Sequence, residues 1–93
     1  MINFYTTKNN AFTVLTEPED GCWINMVNPD DAEIAFISSK YAIDPDILRA
    51  ALDLDERSRI DADENYAMIL VNIPTVEDKN DDELYTTIPL SII

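Results

Sequence analysis

The chain has 93 residues, enough for one small domain that buries only about 60–65% of the surface its unfolded form exposes. A hydrophobic fraction of 46% is ordinary for a globular protein and argues against wholesale disorder. Nineteen acidic residues against six basic ones give a net charge of −13, which repels nucleic acid and disfavours anionic membrane surfaces. The same charge attracts cations, although it also serves simply to keep a small domain soluble.

The residue types present exclude most hydrolytic chemistry. There is no histidine, so Cys–His pairs, Ser–His–Asp triads and His-ligated zinc sites are excluded. Cys22 is the only cysteine, so an intramolecular disulfide is excluded and a reducing compartment is the simpler home. Its apolar surroundings predict a buried, inert thiol. The chain is therefore predicted not to be an enzyme.

Three strands are predicted at the start of the chain. Ile2–Thr6 and Ala11–Leu15 flank a polar turn at residues 8–10, a pattern typical of a hairpin. A turn around the only glycine, Gly21, precedes a third strand over Cys22–Val27. Trp23 is its largest candidate core residue.

Two helices are predicted next. Asn28 is a suitable N-cap, with Pro29 at the first helical position. The spacing of Ile34, Ile37 and Tyr41 predicts one inward-facing side for this helix.

The second helix is predicted to begin at Asp44-Pro45 and to run for about two turns. Its apolar stripe comprises Ile47, Leu48, Ala51 and Leu52.

The last third of the chain predicts further strands. Tyr66–Ile73 is almost continuously apolar, which predicts a central strand covered on both faces and ending at Pro74. Glu77–Glu83 predicts an acidic, solvated loop, and from Leu84 the chain alternates as a strand. Because it stops within this strand, at Ile93, more sheet and helix are expected downstream. The order β-β-β-α-α-β-β predicts an α/β (α+β) fold: a mixed β-sheet flanked by helices and incomplete at the C-terminus.

The segment Asp53–Glu64 has the acid spacing of a calcium-binding loop at several positions. However, Arg57 lies where a ligand is needed, and Ser58 lies where the sharp turn requires glycine. The segment is therefore interpreted as a solvated connection between helix and strand, with Arg57 and Arg59 paired to neighbouring acids.

A series of short motifs resembles the soluble N-terminal domain of CorA-type magnesium and cobalt channels. In order, they are Trp23-Ile24-Asn25, the helix with Ile34 and Ile37, Tyr41-Ala42-Ile43-Asp44-Pro45, Leu48, Leu52, Asp53, Glu56-Arg57-Ser58-Arg59-Ile60-Asp61, and Glu64-Asn65-Tyr66 leading to Pro74. Where the family usually has proline between two basic residues, this chain has Ser58.

The resemblance implies that residues 1–93 form a single, partial cytosolic domain, with no transmembrane segment of its own. In the family such a domain forms part of a funnel of five identical subunits at the cytosolic face of the cell membrane. A stalk helix and two membrane helices with a Gly-Met-Asn pore signature would follow it. The implied function is ion sensing and gating in a channel for Mg²⁺ or Co²⁺, and the fragment alone would not transport ions.

The resemblance also implies where a regulatory metal would bind. In some members an acidic residue on the second helix contributes to a site between subunits, and the matching position here is Ala50. Asp46 lies one turn before it and Asp53 about one turn after. Asp53 and Asp55 are therefore predicted as weak ligands of a regulatory Mg²⁺, with Co²⁺ as the alternative.

Two other classes of function remain open. A free-standing acidic module that recruits a basic protein is the main alternative, and a small enzyme is the third. A reading frame that continues into two apolar stretches of about twenty residues would favour the channel over the interaction module.

Overall fold

The computed structural model describes residues 1–79 and 82–93, and these divide into two compact units, Met1–Ala35 and Phe36–Ile93. The elements are β1 (Ile2–Lys8), β2 (Ala11–Leu15), β3 (Trp23–Met26), α1 (Asp31–Tyr41), α2 (Pro45–Arg49), a 3₁₀ turn (Ala50–Leu52), β4 (Arg59–Ala62), β5 (Ala67–Lys79) and β6 (Asp82–Ile92). The predicted α+β class and element order are confirmed. Among the described residues, two three-stranded antiparallel sheets stand in place of one mixed sheet. Strand β4 was not predicted.

The first sheet has the strand order β2-β1-β3. β1 and β2 form the predicted hairpin, which closes at the pair Lys8–Ala11. The two residues between them, Asn9 and Asn10, have φ angles of 52° and 63°. Asparagine tolerates this left-handed conformation better than most residues, and two such residues match the right-handed twist of a hairpin.

Side chains of the first sheet alternate between two faces. Ile24 and Met26 of β3 are half-buried, whereas Trp23 is 61% exposed. The prediction that Trp23 is a core residue is therefore wrong. Successive strand residues point to opposite faces, so a tryptophan that precedes a half-buried isoleucine lies on the other face. Cys22, predicted to be buried, is half-buried.

Helix α1 begins later than predicted. The carboxylate of Asp30 accepts a hydrogen bond from the backbone N–H of Glu33 at 2.8 Å, and the carboxylate of Glu33 accepts one from the N–H of Asp30 at 2.9 Å. This reciprocal pair is a capping box, which satisfies two N–H groups that have no partner within the helix. Asp30 is thus the N-cap. The prediction of Asn28 was wrong, because its φ of 46° places it in the preceding turn.

The predicted inward face of α1 is confirmed for Ile34 and Ile37, which are almost completely buried. It is wrong for Tyr41, which is 38% exposed at the last helical position. The helix ends there because Ala42 takes a left-handed conformation, with φ of 54°. The N–H of Ile43 then donates to the carbonyl of Ser38 at 3.2 Å, the long bond of a Schellman motif.

Alanine is a poor residue for this helix end, because its Cβ crowds the backbone at positive φ. We expect Ala42→Gly to stabilise the chain by about 1 kcal/mol, since glycine adopts this conformation without that crowding. For a chain of this size the melting temperature should rise by roughly 4–8 °C. Thermal unfolding followed by circular dichroism measures this shift. Ala32→Gly, within α1, is the matched control and should lower the melting temperature; a lower value for Ala42→Gly would contradict the assignment.

Helix α2 starts as predicted. The Asp44 carboxylate caps it by accepting a hydrogen bond from the N–H of Asp46 at 2.9 Å, and Pro45 occupies the first turn. Its continuation as the 3₁₀ turn Ala50–Leu52 brings the helical stretch to the predicted two turns. Of the predicted apolar stripe, Leu52 is exposed instead.

The second sheet has the order β4-β5-β6, with β5 in the centre as predicted. Met68 and Leu70 on one face of β5 are almost completely buried and form a core cluster with Ala50. Between them in sequence, Ile69 points to the other face and is 42% exposed. The prediction that both faces of this strand are covered is therefore wrong for the described chain.

The β5–β6 hairpin is longer than predicted. Its ladder runs from the pair Ile69–Ile92 to the pair Lys79–Asp82. The acidic segment was predicted as a loop, but residues 77–79 and 82–83 are strand; Asn80 and Asp81 lie outside the described residues. Once the apolar part of the hairpin sets the register, each further pair extends the backbone hydrogen-bond ladder whatever its side chains.

Proline does not end β5, contrary to the prediction. In an antiparallel strand, the backbone groups of successive residues bond alternately to the two neighbouring strands. The N–H of Asp63 donates to the carbonyl of Tyr66 at 2.8 Å, so the backbone groups of Leu70 and Pro74, four and eight residues after Tyr66, also point to the β4 side. The nitrogen of Pro74 therefore points away from β6, at a position beyond the last residue of β5 that pairs with β4. Pro89 pairs with Asn72, whose backbone groups also point to the β4 side, so the nitrogen of Pro89 points away from β5. Neither proline therefore breaks a hydrogen bond between β5 and β6.

Candidate functional site

The two predicted metal ligands lie in one turn between the 3₁₀ turn and β4. The Asp53 carboxylate accepts a hydrogen bond from the N–H of Asp55 at 2.9 Å. The Asp53 carbonyl accepts another from the N–H of Glu56 at 3.1 Å, which closes the turn. Asp53 and Asp55 are both exposed. The structure thus brings the two predicted residues together at the surface.

Two of the other acids of this segment, Glu56 and Asp61, are engaged by Arg59. Its Nε donates to the Asp61 carboxylate at 2.7 Å, and its Nη1 donates to the Glu56 carboxylate. The hydrogen bonds to Asp61 and to Glu56 raise the pKa of Arg59. The predicted pairing of Arg59 with neighbouring acids is confirmed. With Asp61 and Glu56 bound to a guanidinium, Asp53 and Asp55 are the more accessible to an external cation.

Ala50, where the resemblance implies an acid in some family members, is unsuited to an acid here. Ala50 is only 4% exposed and packs with Met68 and Leu70. Asp46, one turn earlier, has an almost fully exposed side chain, 4.0 Å from a guanidinium nitrogen of Arg49.

Metal chemistry on this surface is limited by the number of ligands. Among the side chains that the structure describes, no group of three or more carboxylates or cysteines is placed to hold a metal ion. Magnesium usually keeps several of its waters and is bound through one or two carboxylates. The turn at Asp53 and Asp55 therefore suits a hydrated ion that receives its remaining ligands from elsewhere.

Three aromatic side chains that were not predicted to lie together form a group on the first sheet. The Tyr5 ring stacks on Phe12, with centroids 5.0 Å apart, and lies 5.4 Å from the Trp23 ring. Phe12 and Trp23 are both largely exposed. The alternation of side chains along β3 already places Trp23 and Ile24 on opposite faces of the sheet. The contact of Trp23 with Tyr5, and of Tyr5 with Phe12, depends on the register between the strands.

Within residues 1–79 and 82–93, no helix is both long and apolar enough to cross a membrane.

Comparison with known proteins supplies the family. The model of the family described as CorA-like Mg²⁺ transporter protein matches residues 18–93, well over half of the chain. No curated protein and no solved structure matches significantly. The family match includes both the turn at Asp53 and Asp55 and the second sheet. The chain therefore belongs to the CorA-like Mg²⁺ transporter family.

Proposed function

We propose that this chain is the cytosolic, ion-sensing part of a channel that carries Mg²⁺ across a membrane, with Co²⁺ as the alternative ion. The match to the CorA-like family over residues 18–93 carries the proposal. The charge of −13 adds to it, because a strongly acidic surface concentrates divalent cations.

In this proposal Asp53 and Asp55 bind a hydrated Mg²⁺ weakly, and a neighbouring copy in a homopentamer completes the coordination. Both carboxylates are exposed on one turn, whereas Glu56 and Asp61 are held by Arg59. One backbone hydrogen bond, from the N–H of Glu56 to the carbonyl of Asp53, and the bond from the N–H of Asp55 to the Asp53 carboxylate hold both residues in the same turn. Such a pair offers the small number of protein ligands that magnesium accepts.

Gating would then follow from thermodynamic linkage. An ion that binds the closed assembly more tightly than the open one shifts the population toward the closed state. As cytosolic Mg²⁺ rises, the site between subunits fills and the pore closes. Repulsion between acidic chains favours separation of the subunits when the ion is absent.

The chain itself should bind Mg²⁺ with a dissociation constant of about 1 mM or weaker, because two carboxylates give only part of a coordination shell. Titration followed by ¹⁵N–¹H NMR should shift the amide signals of residues 53–56 most. The double change Asp53→Asn and Asp55→Asn should abolish these shifts.

The matched control removes two charges elsewhere, by Glu17→Gln and Asp20→Asn, and should leave the shifts at residues 53–56 intact. If both double variants respond to Mg²⁺ equally, binding is diffuse and the assignment of Asp53 and Asp55 is wrong. In the complete channel, the same two asparagines should relieve inhibition of ion flux by internal Mg²⁺. Flux that is insensitive to millimolar internal Mg²⁺ in the unmodified channel would remove the sensing role itself.

A further inference from the structure

Three rings form a continuous aromatic surface across the first sheet. Tyr5 in the central strand β1 lies between Phe12 of β2 and Trp23 of β3, at centroid distances of 5.0 and 5.4 Å. We call these three residues the aromatic row. Phe12 is 65% and Trp23 61% exposed, so both rings present much of their surface to solvent. Adjacent exposed aromatic residues of this kind mark surfaces that bind a partner more often than isolated ones do.

The unit that carries the aromatic row is strongly acidic. Met1–Ala35 contains six carboxylates and one lysine: Glu17, Glu19, Asp20, Asp30, Asp31, Glu33 and Lys8. Both cations of this unit are already in ion pairs. The Lys8 ammonium lies 3.2 Å from Glu19, and the N-terminal ammonium lies 3.1 Å from Glu33. The field around this unit therefore favours a positively charged partner.

Part of this negative charge lies close to the aromatic row. The N–H of Cys22 donates to the carbonyl of Glu19 at 3.1 Å, which closes a turn over residues 19–22 directly before Trp23. Turn geometry and the spacing of successive Cα atoms place Glu19 and Asp20 within about 11 Å of Trp23, measured between Cα atoms. This is comparable to the Debye length of about 8 Å at physiological ionic strength. Glu19 is paired with Lys8, so Asp20 supplies the unpaired part of this charge, which is only partly screened at the ring.

We propose that the aromatic row is a docking surface for a basic peptide segment, whose arginine side chains stack on Trp23 and its neighbours. A guanidinium is planar, permanently charged and weakly hydrated, so it stacks on an aromatic face while its charge is attracted to nearby carboxylates. This function is separate from ion sensing at Asp53 and Asp55 and uses a different unit of the chain. Nucleic acid also stacks on aromatic rings, but its phosphates are repelled by this surface.

Trp23 is the only tryptophan, so its fluorescence reports directly on the aromatic row. A short peptide of alternating arginine and glycine, titrated into the chain at physiological salt, should change this fluorescence with saturation. Phe12→Leu should weaken binding by about two- to five-fold, the loss expected for one exposed cation–π contact. Phe12→Tyr should retain the affinity because it keeps the ring. Phe36→Leu removes an exposed aromatic ring outside the aromatic row and is the matched control.

Three further measurements test the choice of partner. A peptide with citrulline in place of arginine keeps the planar shape without the charge and should not bind. If it binds equally well, or if an uncharged proline-rich peptide does, the cationic assignment is overturned. Equal affinity of Phe12→Leu and the unmodified chain would show general attraction to acid, which also overturns the proposal. So would sedimentation showing that the free chain dimerises through this surface and that Phe12→Leu abolishes the dimer.

Discussion

Replacing Leu70 by alanine should destabilise the chain by about 2–5 kcal/mol, the usual cost of truncating a buried leucine. Leu70 is 1% exposed and belongs to the cluster with Met68 and Ala50, which leaves little freedom for the neighbours to fill the cavity. A domain of this length has a total stability of roughly 5–14 kcal/mol. The loss is therefore a large part of the total, and the melting temperature should fall by about 10 °C or more.

Urea unfolding followed by circular dichroism measures this loss as a shift of the midpoint. Ile69→Ala is the matched control, because it removes an aliphatic side chain of the same size from the adjacent position on the opposite face. Ile69 is 42% exposed, so its loss should cost less than about 1 kcal/mol. An equal cost at both positions would show that the opposite face of β5 is also buried in the folded chain.

Placing aspartate at position 50 should be more damaging still. Ala50→Asp introduces the acid that the resemblance implies for some family members at this position, but here the site is 4% exposed and lined by Met68 and Leu70. A buried carboxylate without a partner costs more than about 3 kcal/mol, because it loses its hydration and gains no compensating charge. Much of the population should unfold at neutral pH.

Ala35→Asp is the control for this variant, since it places the same side chain at an exposed position of α1 and should cost less than about 1 kcal/mol. The free energy of unfolding of each variant is measured by urea titration. Equal stability of Ala50→Asp and Ala35→Asp would show that position 50 reaches solvent. An acid at position 50 would then be available to a metal ion. The candidate metal site would in that case lie on the second helix and not at Asp53 and Asp55.

Several structural features could be predicted because they depend on neighbours in sequence. The hairpin at residues 8–10 follows from asparagines that accept positive φ, and α2 begins at Asp44 because an aspartate followed by proline satisfies the first turn. The buried pair Ile34 and Ile37 follows from helical spacing. The start of α1 was misplaced by two residues, since Asn28 and Asp30 are both suitable cap residues. The bonds between Asp30 and Glu33 and the φ of 46° at Asn28 distinguish them.

Features that depend on strand pairing were harder to predict. β4 is a four-residue strand in a charged segment, and it forms because Arg59 to Ala62 pair with β5. The charged residues 77–79 and 82–83 likewise extend a ladder whose register is set by apolar pairs further along. Neither segment has a strong local preference for strand, so composition predicted a connection and a loop.

The candidate metal site was predictable only in part. The family resemblance indicated Asp53 and Asp55, and the structure places both in one turn. The pairing of Arg59 with neighbouring acids was expected, but the choice of Glu56 and Asp61 and the burial of Ala50 were not, because these depend on the position of β4 and on packing against β5.

By itself, the sequence determined the charge of −13, the absence of histidine chemistry, the α+β class and the family likeness, all of which depend on residue types and short-range order. Only the tertiary structure decided which face of each strand is exposed, which carboxylates remain accessible and that Trp23 joins Tyr5 and Phe12 at the surface. The physical reason is that backbone pairing between distant segments sets the strand register. A strand's register in turn assigns every side chain to one face or the other.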